Sequence, residues 1–230
     1  MPTPPKAVLF DAGNTLVWLD HPFIVQLLRE YGVETSTEAL MEAEYGAKVL
    51  LDEMARAGTM DQRARGKAFF GQIFRLVGVD EAHFEALGQR LFARHAERNL
   101  WGTVRAGTAD TLVELRRRGY RMAVISNADG HVERLLETVG LRPYFEFVLD
   151  SSVVGIDKPD PRIFHMAAER MGIEPAEAVY VGDIYEIDVQ GARAAGMRAI
   201  LVDPLWRWND HDCPRVRGID ELPDALERLG

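Results

Sequence analysis

Apolar and polar positions follow two different rhythms along the chain. At residues 7 to 10, and again from residue 105 onward, short apolar or β-branched runs stand out: "AVLF", "YRMAVISN", "FEFVLDS", "AVYVGD" and "RAILVDP". From the second run on, helix-length segments separate them, a pattern that predicts an α/β fold with a parallel sheet flanked by helices. The intervening helices are marked by Leu112, Val113 and Leu115 before "RRRG", by Val132, Leu135, Leu136 and Val139 before Gly140, and by Ile163 to Met171 before Gly172. Each pattern stops near a glycine, the residue that most readily ends a helix in left-handed backbone.

Between residues 18 and 100 the strand runs cease. "PFIVQLLREYG", "TEALMEAEYGAKVLLDEMARAG", "GKAFFGQIFRLVG" and "AHFEALGQRLFARHAE" place apolar residues at helical intervals instead. About 80 helical residues thus part the first strand from the others. They read as an insertion, 18–101, into a sheet domain made of 1–17 and 102–230. Phe69, Phe70, Ile73, Phe74 and Val77 form an aromatic stripe at helical spacing, expected to be the core of the insertion rather than a ligand box. Lys48 and Lys67, the only lysines of the insertion, are expected on solvated helix faces. No internal repeat, low-complexity tract or Gly/Ser-rich linker interrupts the chain.

Composition narrows the classes. With 230 residues, 47% hydrophobic and 27% charged, the chain has ordinary globular make-up. The net charge of −9 comes from 27 Lys plus Arg against 36 Asp plus Glu, and no basic run could track a phosphate backbone, so nucleic acid is not an expected partner. Neither a leader with an apolar core nor a membrane-length apolar run is found, which predicts a soluble, cytoplasmic protein without a membrane partner. Cys213 is the only cysteine, so an internal disulfide and a Cys-rich zinc site are excluded; it reads as an ordinary loop residue before Pro214.

In an open parallel sheet, ligands collect at the carboxyl ends of the strands. The first strand ends on Asp11, with Thr15 four residues on; the second ends on Ser126 and Asn127; "GIDKPDP" supplies Lys158; "VYVGDIYEID" supplies Asp183 and Asp188. Singly, these are a polar turn, a helix cap, a surface turn and a common Gly-Asp ending. Together they suit displacement at a tetrahedral, anionic centre. An Asp carboxylate can attack phosphorus and form an aspartyl phosphate. Lys158, Ser126 and backbone N–H groups can bind the equatorial oxygens. A hard cation offsets the crowded negative charge, and Asp11 and Asp183 offer the oxygen ligands that Mg²⁺ prefers.

"LFDAGNT", "VISN", "KPDPRIF" and "VGDIYEID", in this order, resemble the four motifs of the haloacid dehalogenase superfamily of hydrolases, and the resemblance covers nearly the whole chain. It implies a Rossmann-like core with the insertion as an α-helical cap. It also implies Asp11 as nucleophile, Thr15 fixing its loop, Ser126 binding the transferred group with Asn127 beside it, and Lys158 steadying nucleophile and phosphate. The implied Mg²⁺ set is Asp11, the Gly13 carbonyl and Asp183, with Asp188 counted beside them or supporting Asp183 or Lys158. The implied partner is a small molecule, a phosphorylated metabolite or a haloacid, and the protein is expected as monomer or homodimer.

One position departs from the phosphatases of that superfamily. Gly13 stands where they carry a second aspartate, the acid that protonates the leaving group and later activates water. General acid–base catalysis is worth roughly 10²–10⁴-fold, or about 3–5 kcal/mol of barrier. Its loss weighs on alkyl phosphates far more than on aryl or acyl phosphates, whose leaving groups depart without a proton.

Three readings compete. The first is a Mg²⁺-dependent phosphatase, restricted in substrate or borrowing an acid from Asp20 or His21. The second is a 2-haloacid dehalogenase in which Asp11 attacks carbon and a cap arginine, with Arg29 a candidate, holds the substrate carboxylate. The third is a regulatory protein that retains the pocket without turnover. A phosphonate-cleaving enzyme would need a reactive cap lysine, which the solvated reading of Lys48 and Lys67 disfavours. Elsewhere, "PLWRWNDHDCP" reads as a loop packed by tryptophans rather than a second metal site, and His95, His131 and His165 read as ordinary surface or half-buried side chains in helical patterns. Trp18 and Tyr185 are candidates to line the pocket.

Overall fold

The computed structural model describes residues 5–59 and 64–229. The chain divides into two compact units, Met1–Trp18 with Thr103–Gly230, and Leu19–Gly102.

The first unit is built on a six-stranded sheet in the order β3-β2-β1-β4-β5-β6. Its strands are β1 (Ala7–Phe10), β2 (Arg121–Ser126), β3 (Val148–Asp150), β4 (Ala178–Gly182), β5 (Arg198–Val202) and β6 (Arg215–Val216). Every pair is parallel. All four residues of β1 are buried, as are all five of β4, which is why both read as continuous apolar runs without alternation: helices cover both faces of a parallel sheet. The helices are α5 (Thr108–Arg117), α6 (Val132–Thr138), α7 (Ser151–Val154), α8 (Pro161–Met171), α9 (Gly191–Ala194) and α10 (Leu222–Glu227). A six-residue π-helical stretch, Tyr185–Gln190, leads into α9. Val113, one of the residues that mark α5 in the sequence, is exposed, and Thr108 and Thr111 join Leu112 and Leu115 on its buried side.

The second unit contains α1 (His21–Glu30), α2 (Thr37–Arg56), α3 (Arg65–Leu76) and α4 (Phe84–Glu97), with no strand among its described residues. Asp20 caps α1 through the Phe23 N–H at 3.2 Å, and Ser36 caps α2 through that of Ala39, also at 3.2 Å. The aromatic stripe is core, as expected: Phe69, Ile73 and Phe74 are buried, Phe70 packs edge-on against Trp101 with ring centroids 5.9 Å apart, and Phe74 packs against Phe84 at 5.4 Å. Gly46 of α2 faces the Leu76 side chain at the end of α3.

The expectation for Lys48 is corrected. Glu44, Lys48 and Asp52 form a row at four-residue spacing on the buried side of α2, alongside Leu40, Ala47 and Leu51, and none of the three is solvated. Glu44 accepts from His21 Nε2 at 2.7 Å and pairs with Lys48 Nζ at 3.5 Å. The reason is helical phase: Lys48 lies four residues from Glu44 and Asp52 and three from Leu51, all buried, which puts it on their face. Lys67 is exposed. No described helix is long and apolar enough to cross a membrane.

Candidate active site

The site begins where β1 stops. Phe10 pairs with Val124 of β2 and Val181 of β4, and the Asp11 N–H still donates to the Val181 carbonyl at 2.8 Å, so Asp11 is held as the last rung of the central strand. The chain then folds over. Leu16 and Val17 both donate to the Ala12 carbonyl, at 2.9 and 3.0 Å, and Asn14, in left-handed backbone at φ 54°, donates to Val17 at 2.6 Å. Asparagine tolerates that conformation better than most residues. These bonds are main-chain. The Thr15 hydroxyl, expected to fix the loop, is buried at 1% exposure and has no hydrogen-bond partner among the described residues. Gly13 is half-buried.

Ser126 ends β2, in register with Asp150 at the end of β3. The Asp150 carboxylate organises the turns beyond both strands: it accepts from the N–H groups of Gly130 at 2.9 Å, Val132 at 3.3 Å and Ser152 at 3.1 Å. Asn127, expected to bind substrate, holds the Lys158 backbone. Its Oδ1 accepts from the Lys158 N–H at 2.7 Å and its Nδ2 donates to the Lys158 carbonyl at 2.8 Å. The physical reason is that a primary amide carries an acceptor and a donor side by side, which meet the N–H and the carbonyl of one residue, so Asn127 clamps the backbone of the lysine.

Lys158 itself is 2% exposed and its ammonium donates three hydrogen bonds: to Asp11 Oδ1 at 2.7 Å, to Asp188 Oδ1 at 2.8 Å and to the Tyr180 hydroxyl at 2.7 Å. These use all three N–H bonds of an ammonium group. The other oxygen of Asp188 accepts from the backbone N–H groups of Asp183 at 3.0 Å and Ile184 at 2.9 Å. Asp188 therefore supports Asp183 and Lys158 at once. It can do so because residue 182 is a glycine: a Cβ there would run into the Asp188 carboxylate.

The electrostatics arise from this crowding. Burial holds the Asp11 carboxyl above its usual range, with Lys158 opposing and Asp188 reinforcing the shift. For Lys158, burial alone would lower the pKa, but the carboxylates of Asp11 and Asp188 reverse that and hold it above the ordinary value, so it stays an ammonium. Burial, Asp188 and Asp11 hold the Tyr180 phenol protonated. Asp11, Asp183 and Asp188 each offer an oxygen, all within 4.8 Å of one another. Three carboxylates less one ammonium give these four side chains a formal charge of −2 when all are ionised. Hard, anionic oxygen donors so grouped fit a small divalent cation.

The remaining sequence candidates have the following neighbours. Asp20 Oδ2 is paired with Arg94 at 3.1 Å, and His21 with Glu44. Arg29 is exposed, pairs with Glu34 at 3.2 Å and lines a surface groove with Pro22, Gln26 and Thr37. Trp18 is buried beneath the Arg105 guanidinium, 3.2 Å from its ring centroid. Tyr185 is buried and stacks on His211 at 3.9 Å with the planes 8° apart. In the loop that holds His211 one of the two tryptophans packs as expected: Trp208 is buried, whereas Trp206 is exposed beneath Arg215 and Arg217, and Asp203 accepts from the N–H groups of Arg207 at 3.0 Å and Trp208 at 2.9 Å. Burial pushes the Cys213 thiol up to about 11. Tyr180 and Asp150 are not among the residues that the sequence singles out. Tyr180 does leave a signal there, a hydroxyl inside an otherwise apolar strand, which must find a partner when buried.

Comparison with known proteins fits this geometry. The family model described as haloacid dehalogenase-like hydrolase matches residues 5–196. The human "Haloacid dehalogenase-like hydrolase domain-containing protein 3" is 46% identical over 96% of this chain and 95% of its own. A "Glyceraldehyde 3-phosphate phosphatase" of Methanopyrus kandleri is 28% identical over 95% of this chain and 91% of its own. The crystal structure of an HAD phosphatase from Thermococcus onnurineus superposes with a TM-score of 0.61 at 27% identity, covering 96% of this chain and 97% of that one. A strand-end aspartate bound to a buried lysine, a second carboxylate beneath both, and a family match spanning all of these residues lead to one assignment: the chain belongs to the haloacid dehalogenase-like hydrolases.

Proposed function

We propose that this hydrolase is a Mg²⁺-dependent phosphatase of small phosphorylated metabolites, in which Asp11 is the nucleophile and residues 19–102 act as its cap. The observation that carries the reading is the buried Asp11, Lys158 and Asp188 network beside Asp183. The phosphatase names of the Methanopyrus relative and the Thermococcus neighbour support it.

In this reading the Asp11 carboxylate attacks phosphorus, the bond from phosphorus to the ester oxygen breaks, and the phosphoryl group rests on Asp11 as an acyl phosphate. Water then attacks the same phosphorus, its proton passing to a phosphoryl oxygen, and the bond from phosphorus to the Asp11 oxygen breaks, which releases inorganic phosphate and restores the carboxylate. Lys158 holds the carboxylate in place and places positive charge beside the developing charge on the phosphoryl oxygens. Ser126 offers a hydroxyl from the neighbouring strand end. Asp11 and Asp183, with the Gly13 carbonyl, would hold the metal, and Asp188 fixes their loop through Asp183. The chemistry a bound Mg²⁺ supplies is charge neutralisation on the phosphoryl oxygens.

No side chain at position 13 can protonate the leaving group, and Asp20 and His21 are paired within their own unit. The preferred substrates are therefore aryl or acyl phosphates, whose leaving groups depart as stable anions. The test is phosphate release from an aryl phosphate with and without Mg²⁺, using wild type and Asp11→Asn. Metal-dependent release that Asp11→Asn abolishes is expected. A purified, folded protein with no metal-dependent release overturns the reading.

A further inference from the structure

The ammonium of Lys158 has three partners, and only two are carboxylates. The third is Tyr180, in the middle of β4 and fully buried. Its hydroxyl accepts from Lys158 Nζ at 2.7 Å and donates to the Ile125 carbonyl at 2.9 Å. Ile125 immediately precedes Ser126. The hydroxyl therefore links the lysine to the residue next to the serine, across the central strand that bears Asp11. Its ring is held edge-on by Phe164, with centroids 4.9 Å apart.

From this geometry we infer that Tyr180 is a positioning residue, whose hydroxyl sets the distance between the Lys158 ammonium and the Ser126 strand end and fixes the rotation of the ammonium so that a proton stays aimed at Asp11.

Three considerations support this. An ammonium rotates freely about its last C–N bond unless acceptors hold each proton, and two carboxylates alone leave one proton in a buried site without an acceptor. A neutral acceptor completes the set without adding to the formal −2 charge of the cluster. The phenol must also donate, and the Ile125 carbonyl takes that proton, so the hydroxyl lies between one fixed donor and one fixed acceptor.

The inference rests on the phosphatase reading for its kinetic readout but not for its structural one. Tyr180→Phe keeps the ring and its contact with Phe164 and removes only the hydroxyl. The Lys158 ammonium ¹H–¹⁵N signal, followed in lysine-labelled protein, is expected to shift and to exchange faster with water. Turnover of an aryl phosphate is expected to fall about tenfold, in kcat more than in KM, as suits the loss of one hydrogen bond to a charged group. Leu115→Ala, at a buried position of α5 that makes none of these bonds, is the packing control: it lowers the melting temperature and leaves kcat and the ammonium signal in place. A folded Tyr180→Phe with an unmoved ammonium signal, or with wild-type kcat, overturns the inference. If wild type itself releases no phosphate, the phosphatase reading fails, and the ammonium signal alone then decides whether Tyr180 holds the lysine.

Discussion

Lys158 Nζ stands 2.7 Å from Asp11 Oδ1, with both side chains buried. Burial already raises the Asp11 pKa, and the lysine is what opposes it. Lys158→Ala removes that opposition, so Asp11 stays protonated to higher pH and the acid limb of kcat/KM moves upward. Turnover near neutrality falls by roughly 10²–10³-fold, the usual cost of removing one preorganised donor. A pH–rate profile checks the sign; an acid limb that does not move would remove the charge role assigned to the lysine.

Asp188 accepts on both oxygens, from Lys158 on one and from the Asp183 and Ile184 N–H groups on the other. Asparagine can serve only one of these sides. With its oxygen toward the backbone, its NH₂ faces the ammonium; turned round, the NH₂ faces two N–H donors. Asp188→Asn is therefore expected to weaken Mg²⁺ binding about 10–100-fold through the loop it supports. Isothermal titration with Mg²⁺ measures this directly, and wild-type affinity would show that the loop stands without it.

Gly13 lies half-buried two residues past Asp11, where the phosphatases that this chain resembles carry their second aspartate. Gly13→Asp is expected to raise alkyl phosphate turnover by up to about 10²-fold while changing aryl phosphate turnover much less. The aryl-to-alkyl rate ratio is the readout. An unchanged ratio would mean that residue 13 does not limit leaving-group departure.

Away from this site, Glu44 lies in the buried row of α2. Burial alone would raise its pKa, but Lys48 and His21 overcome this and hold it below the ordinary value of 4.5. Its folded value is depressed, so the stability it contributes is present above pH 4.5 and is lost as pH falls through the folded value. Glu44→Ala is expected to cost about 3–5 kcal/mol at neutral pH, the usual cost of breaking a buried pair. The gap to wild type should shrink as pH drops below 4.5 in denaturant titrations, and a gap independent of pH would assign the loss to packing alone.

Much of the fold is legible in the sequence because the sheet is parallel and buried on both faces, which leaves unbroken apolar runs from β1 to β5. The two-residue β6 is not, since Arg215 and Val216 are too few for any periodicity and are recruited by pairing with β5. At the site, the charged residues are legible from type and order, and their supports are not. The hold of Asn127 on the Lys158 backbone cannot be read from its type, and Tyr180 leaves only a hydroxyl in an apolar strand. Lys48 misleads for a different reason: residue type suggests solvent, whereas its phase on α2 places it inside. Thr15 shows the converse, a residue in the expected place whose hydroxyl does not make the expected bond.

The strand order places the first-made strand in the middle of the sheet, between β2 and β4. On a ribosome, β1 can pair with β2 once residue 126 has emerged, but its other edge stays open until residue 178 and beyond have emerged too. At about 5–20 residues per second this interval lasts roughly 3–10 s. For that time the apolar "AVLF" segment presents an unpaired edge, the kind that recruits foreign strands. Synthesis rate and chaperone access are thus expected to govern the yield of this protein, and a fragment ending before β4 should aggregate rather than fold.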